Sequence, residues 1–150
     1  MFHVVLVEPE IPPNTGNIGR LCVAAGATLH LIHPLGFQIN DRELKRAGLD
    51  YWPHLKLLEW ENWDVFAAAL PVSVRCFFLT TKSARSYVTV PFLPGDYLVF
   101  GRETRGLPAS LLADHASSAL TIPMAPEARS LNLATAVGIV LYEALRQNPS

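Results

Sequence analysis

Three short segments gather polar side chains and glycines that an apolar core would reject. The first is Asn14-Thr15-Gly16-Asn17-Ile18-Gly19-Arg20. At the start of a helix it offers unpaired N–H groups and the positive end of the dipole, a setting that favours phosphate or another anion. Ordinary helix capping is the competing reading. The segment has neither Gly-x-Gly-x-x-Gly spacing nor a P-loop Gly-Lys-Ser/Thr, which disfavours a nicotinamide or ATP enzyme. The second segment, Gly101-Arg102-Glu103-Thr104-Arg105-Gly106-Leu107-Pro108, sets two Arg around a Glu and a Thr between two glycines. A simple turn needs one Gly and seldom three charges. The third runs from Ile122-Pro123-Met124 to Arg129-Ser130-Leu131-Asn132. Ser130 alone reads as a helix cap; the three segments together indicate a binding site.

The elements that must carry these segments follow from periodicity. Phe2–Val7, Thr28–His33, Val74–Leu79, Tyr97–Gly101 and Ala119–Ile122 are apolar runs bounded by Pro, Gly or charge, and read as strands. Helical spacing places a helix from an Asn14 cap to a stop at Gly26, with Ile18, Leu21, Cys22 and Ala25 on one face. Short helices are predicted over Asp41–Ala47, from Asn62 to Pro71, and after Pro108. The longest helix is predicted from about Ser130 to Gln147, with Leu131, Ala134, Val137, Val140, Leu141 and Leu145 inward. Strands alternating with helices predict an α/β domain with a largely parallel sheet flanked by helices. In such sheets ligands bind at the carboxyl ends of the strands, and each of the three segments follows a strand.

Composition bounds the rest. The 150 residues are half hydrophobic, so a disordered chain is excluded and a single globular domain is expected. Twelve basic against thirteen acidic residues give a net charge of −1, which excludes a polycationic nucleic-acid coat but not a local basic patch. Cys22 and Cys76 lie in apolar runs and read as buried, inert thiols. No His-Glu-x-x-His pattern or cysteine pair supports a metal, so none is predicted. The five histidines are read as unclustered, and Trp52, Trp60 and Trp63 as an aromatic group in one linking region. The amino terminus has no basic n-region, and no apolar run reaches the ~18 residues of a membrane span. A cytoplasmic location without membrane contact is the expectation.

The motifs carry a resemblance. Asn-x-Gly-Asn-Ile-x-Arg, Phe-Gly-x-Glu-Thr-Arg-Gly-Leu-Pro, and Ile-Pro-Met with Arg-Ser-Leu-Asn-Leu are similar to the three motifs of SPOUT-type RNA 2′-O-methyltransferases. Glu-Pro-Glu-Ile-Pro-Pro-Asn-Thr-Gly-Asn and Arg-Ala-Gly-Leu-Asp-Tyr extend the likeness over nearly the whole chain. It is closest to the minimal, single-domain branch that methylates the wobble cytidine or uridine of tRNA. The resemblance implies one domain over residues 1–150, with a deep trefoil knot and the cofactor site in roughly residues 75–150. It also implies S-adenosylmethionine (AdoMet) as methyl donor, S-adenosylhomocysteine as product, and an antiparallel homodimer.

By position, the resemblance places the cofactor against Leu79, Gly101, Ile122, Met124, Ser130 and Leu131. Its catalytic set maps to Arg20, Asn14, Glu103, Ser130 and Asn132. Arg20 stands at the arginine assigned there to the ribose hydroxyl. A protonated guanidinium has donors and no acceptor, so an orienting role is preferred over a base. Asn14 would position Arg20 or the nucleotide, and Glu103 would orient Arg20 or the backbone lining the site. Arg102, Arg105 and Arg129 are candidate phosphate contacts; Arg102 departs from the small residue or proline common in relatives. Arg42, Lys45 and Arg46 either extend this patch onto the anticodon stem or form a solvated helix face. Two alternatives stay open: ribosomal RNA as substrate, and an AdoMet-binding module without transfer.

Overall fold

The β-branched run His3–Val7 forms β1, the centre of a sheet that grows outward on both sides. A computed structural model describes residues 1–149 of the chain, the side chains of residues 48 and 49 apart. After β1 come α1 (Pro12–Ala25), β2 (Thr28–Ile32), α2 (Arg42–Gly48), β3 (Leu57–Trp60) and α3 (Trp63–Ala69). Then follow β4 (Cys76–Leu79), β5 (Tyr97–Phe100), α4 (Ala109–Asp114), β6 (Ala119–Leu120) and α5 (Leu133–Gln147). The six strands lie in the order β3-β2-β1-β5-β4-β6, and every pairing is parallel. No helix among the described residues is long and apolar enough to cross a membrane.

Alternation along each strand sends neighbouring side chains to opposite faces. Val4, Leu6, Leu29, Leu31, Leu98 and Phe100 face α1 and α5, where Ile18, Cys22, Val137, Val140 and Leu141 meet them. Val5, Val7, Ile32, Val99 and Phe78 face the other way, onto Phe66 of α3 and Leu111 of α4. Each such side chain, fully withdrawn from water, contributes roughly 1.5–3 kcal/mol. Strands covered on both faces read as continuous apolar runs, which is why they were legible.

Several boundaries differ from expectation. Asn14 does not cap α1; the helix begins two residues earlier on Pro12-Pro13, with Ile11 at the N-cap and no side-chain cap. Proline suits the first helical turn because its missing N–H would have no partner there. The last helix begins at Leu133, capped by Asn132, whose side chain accepts from Thr135 N (3.2 Å). Leu131 therefore precedes the helix. β3 was not predicted: it is four residues long, with Leu58 and Glu59 exposed, and shows no buried periodicity. The Gly26 stop stands, with φ +68° closing α1.

Candidate active site

The carboxyl ends of β4, β5 and β6 open into a cavity of about 390 Å³, within the roughly 300–1,000 Å³ of small-molecule sites. Leu79, Gly101, Ile122, Met124, Ser130 and Leu131 all line it, as do Arg102, Glu103, Arg105 and Arg129. The hydroxyl side chains Thr80, Thr81, Thr104 and Thr121 add polar groups to apolar walls.

One wall is the loop after β5, which folds back on itself. Arg102 and Gly106 exchange backbone hydrogen bonds of 3.2 and 2.9 Å, and Gly106 takes φ +67°. That fold-back presses the loop onto Gly101: a Cβ there would sit 2.2 Å from Gly106 C and Leu107 N. The glycine is demanded by the protein's own backbone.

Glu103 holds the start of α1. Its Oε1 accepts from Glu10 N (2.8 Å), and its Oε2 from Ile11 N (2.9 Å) and Asn14 Nδ2 (3.3 Å). A helix with no cap of its own and no acid in its first turn thus takes a carboxylate from a distant loop. Asn14, buried in the first turn, also accepts from Asn132 Nδ2 at 3.1 Å. The starts of α1 and α5 are therefore tied together beside the cavity wall. Around them, Glu10 accepts from Thr104 N and Oγ1, which holds its carboxyl below the usual range, with Arg102 and Arg105 adding to the effect. Arg102 pairs with Glu8, a residue in the left-handed region at φ +54°. Among the described residues Arg105 and Arg129 form no ion pair.

Asn14, Glu103 and Asn132 are thus one hydrogen-bonded group, and Ser130 lines the cavity. Arg20 stands apart. It is exposed on α1, outside the cavity lining, and bonded to neither Asn14 nor Glu103. Its guanidinium carbon lies 5.0 Å from the centre of the Tyr51 ring.

Two of the five histidines, read from the sequence as unclustered, meet in the fold. His3 Nδ1 and His30 Nε2 are 2.9 Å apart, and Trp60 Nε1 donates to His30 Nδ1 at 3.0 Å. The three residues step diagonally over β1, β2 and β3 on one face, a relation hidden until the strand order is known. Burial, then the neighbouring His3, pushes His30 down to about 4. The tryptophans also separate: Trp60 and Trp63 pack on Phe66, while Trp52 lies against Gly19 of α1. Both thiols are free; burial pushes Cys22 up to about 12 and Cys76 to about 11. Among the described residues no three His, Cys, Asp or Glu side chains gather as metal ligands. Tyr51, Glu8 and Glu10 carry no role in the sequence reading, although they lie in the segments Glu-Pro-Glu-Ile-Pro-Pro and Arg-Ala-Gly-Leu-Asp-Tyr that extend the resemblance.

Comparison with known proteins adds four findings. Residues 1–142 match the SpoU rRNA Methylase family. A Burkholderia cenocepacia protein named tRNA (cytidine(34)-2′-O)-methyltransferase is 50% identical over 149 residues, 98% of this chain and 96% of its own. A structure described as giving insights into the 2-OH methylation of C/U34 on tRNA superposes with TM-score 0.95 and 50% identity, covering 98% of this chain and 95% of that one. An AdoMet-bound rRNA methyltransferase from Sinorhizobium meliloti gives TM-score 0.85 at 31% identity, over 99% of this chain and 57% of its own.

Proposed function

This chain belongs to the SpoU rRNA methylase family, and from that premise we propose that it transfers a methyl group from AdoMet to the ribose 2′-hydroxyl of nucleotide 34, cytidine or uridine, in tRNA. The observation that carries this reading is the convergence of all three motif segments on one cavity or its immediate wall. The half-identical, nearly full-length relatives named for tRNA support that substrate over ribosomal RNA.

The cavity fits the cofactor. Its size, its apolar walls at Leu79, Ile122, Met124 and Leu131, and its hydroxyl and backbone groups suit an adenine, a ribose and a charged amino acid tail. Those four residues, with Gly101 and Ser130, would hold AdoMet, which supplies an electrophilic sulfonium methyl. The chain's own residues align the acceptor. Arg20 donates to the ribose and its neighbouring phosphate, where in-line geometry and relief of growing negative charge matter most. Glu103, Asn14 and Asn132 act through the position of α1. Arg105 and Arg129 meet RNA phosphates, with Arg102 beside them in its pair with Glu8.

We read the working unit as a cytoplasmic homodimer on the anticodon stem-loop. Arg20 lies outside the cavity lining of its own protomer, and Tyr142 on α5 is 45% exposed, so a second copy can cover α5 and complete the site. Residues 75–150 form the cofactor half, closed by the knot. In support, Thr121 is laced to the segment after β4 through Thr121 N to Arg85 O (2.7 Å) and Tyr87 N to Thr121 O (3.0 Å).

The test is transfer from methyl-labelled AdoMet to bulk tRNA and, in parallel, to ribosomal RNA, mapped by nuclease digestion and mass spectrometry. Label on the wobble 2′-O-methyl nucleotide is expected, and Arg20→Ala should nearly abolish it while AdoMet still binds. Label only on ribosomal RNA, or none despite AdoMet binding, overturns the reading.

A further inference from the structure

Arg20 carries many rotamers, sits on an exposed helix face, and makes no hydrogen bond or ion pair among the described residues. What restrains it is aromatic. The short 3-10 segment Leu49–His54 lies against α1, with the Trp52 ring 3.0 Å from where a Cβ of Gly19 would be and Leu55 at 3.1 Å. Gly19 thus provides the close seat, and the next helix residue is Arg20. Tyr51, the neighbour of Trp52, brings its ring to 5.0 Å from the guanidinium carbon. That is within the ~6 Å at which a cation gains from an aromatic face. The Tyr51 hydroxyl makes no hydrogen bond among the described residues, so the ring face is the contact that matters.

We propose that Tyr51 is a positioning residue for Arg20: the guanidinium carbon lies over its ring, a contact that limits the side chain's orientations and leaves its N–H groups free to donate to the ribose and its phosphate. The planar, delocalised guanidinium suits such a contact, which does not consume its donors. This inference rests on the reading of Arg20 given above. A merely packed Tyr51 would be replaceable by Leu; a Tyr51 that acts through its ring is replaceable only by another aromatic.

The experiment measures single-turnover methyl transfer to an anticodon stem-loop by wild type, Tyr51→Phe, Tyr51→Leu, Arg20→Ala and the double variant Arg20→Ala/Tyr51→Leu. AdoMet affinity and the Arg20 side-chain Nε–H resonance are followed alongside. Tyr51→Leu should lower the rate about tenfold with AdoMet affinity unchanged, Tyr51→Phe should stay within about twofold, and Tyr51→Leu should cost nothing further once Arg20 is Ala. The Nε–H resonance should lose its ring-current shift in Tyr51→Leu alone. An active wild type with an unaffected Tyr51→Leu, or an equal loss in both backgrounds, overturns the positioning role and leaves the wobble reading intact. A wild type that transfers no methyl to the stem-loop overturns that reading and, with it, the role of the contact.

Discussion

Asn132 Nδ2 donates to Asn14 Oδ1 at 3.1 Å, joining residues 118 apart in the chain. The same Asn132 caps α5 through its oxygen, and the same Asn14 donates to Glu103. Each amide therefore uses both of its ends, and each replacement removes a distinguishable part. Asn132→Asp keeps an acceptor for Thr135 N but loses the donor to Asn14, so stability should hold while methyl transfer falls. Asn132→Ala loses the cap as well and should cost about 1 kcal/mol. Urea unfolding beside transfer assays separates the two; equal loss of stability in both variants would sink this division of labour.

Glu103→Gln should weaken the start of α1. A carboxylate accepts on both oxygens from Glu10 N, Ile11 N and Asn14, whereas an amide turns an NH₂ toward one group of donors. The expected loss is about 1–3 kcal/mol, the cost of charge-assisted bonds left unmade. Hydrogen exchange should quicken at the first turn of α1; unchanged protection there would argue against the long-range cap.

Two glycines should respond oppositely to alanine. Gly101→Ala drives a Cβ to 2.2 Å from backbone atoms of Gly106 and Leu107, so the loop must move and AdoMet binding should be lost. Gly138→Ala, inside α5, meets only Leu21 Cδ2 at 3.6 Å and should stabilise by about 0.5–1 kcal/mol through helix propensity. Calorimetry and AdoMet titration of both variants test the pair, and a Gly101→Ala protein binding AdoMet normally would refute the first.

The His3–His30–Trp60 array makes folding sensitive to acid. His30 falls from 6.5 to about 4 in the fold, so below 6.5 the unfolded chain takes up the proton first. Stability is then complete above about pH 6.5 and declines toward pH 4, by on the order of 3 kcal/mol. His3, also lowered, acts in the same direction. His30→Gln keeps an acceptor for Trp60 and a donor for His3 without titrating, and should flatten the dependence of the urea midpoint on pH between 7 and 5. An undiminished slope in that variant would assign the effect elsewhere.

Thr15 is fully buried in α1, and its hydroxyl has no partner among the described residues. Replacing an unpaired buried hydroxyl by a methyl of similar shape removes a desolvation cost of about 1–3 kcal/mol. Thr15→Val should therefore raise the melting temperature, and a lower one would mean that the hydroxyl is bonded in solution.

Sequence reading was strongest where one physical constraint acts locally. Val4–Val7 and Tyr97–Phe100 are buried on both faces, so nothing interrupts their apolar runs. It failed at β3, where Glu59 and half-exposed leucines suffice because the strand borrows its order from β2. The site segments stood out as polar islands after strands, yet their mutual contacts did not. Glu103 reaches Glu10 across 93 residues, and no periodicity carries that information. The Arg20–Tyr51 contact was hidden for the same reason, since it depends on how one helix seats a neighbouring turn.

The bonds that run from Glu10 through Glu103 and Asn14 to Asn132 also set a timetable for synthesis. Until the loop after β5 has been made, the start of α1 lacks the carboxylate that holds it. Its tie to α5 waits longer, for Asn132. A chain cut before Asn132 therefore keeps Arg20 but lacks the tie that fixes its helix beside the cavity wall.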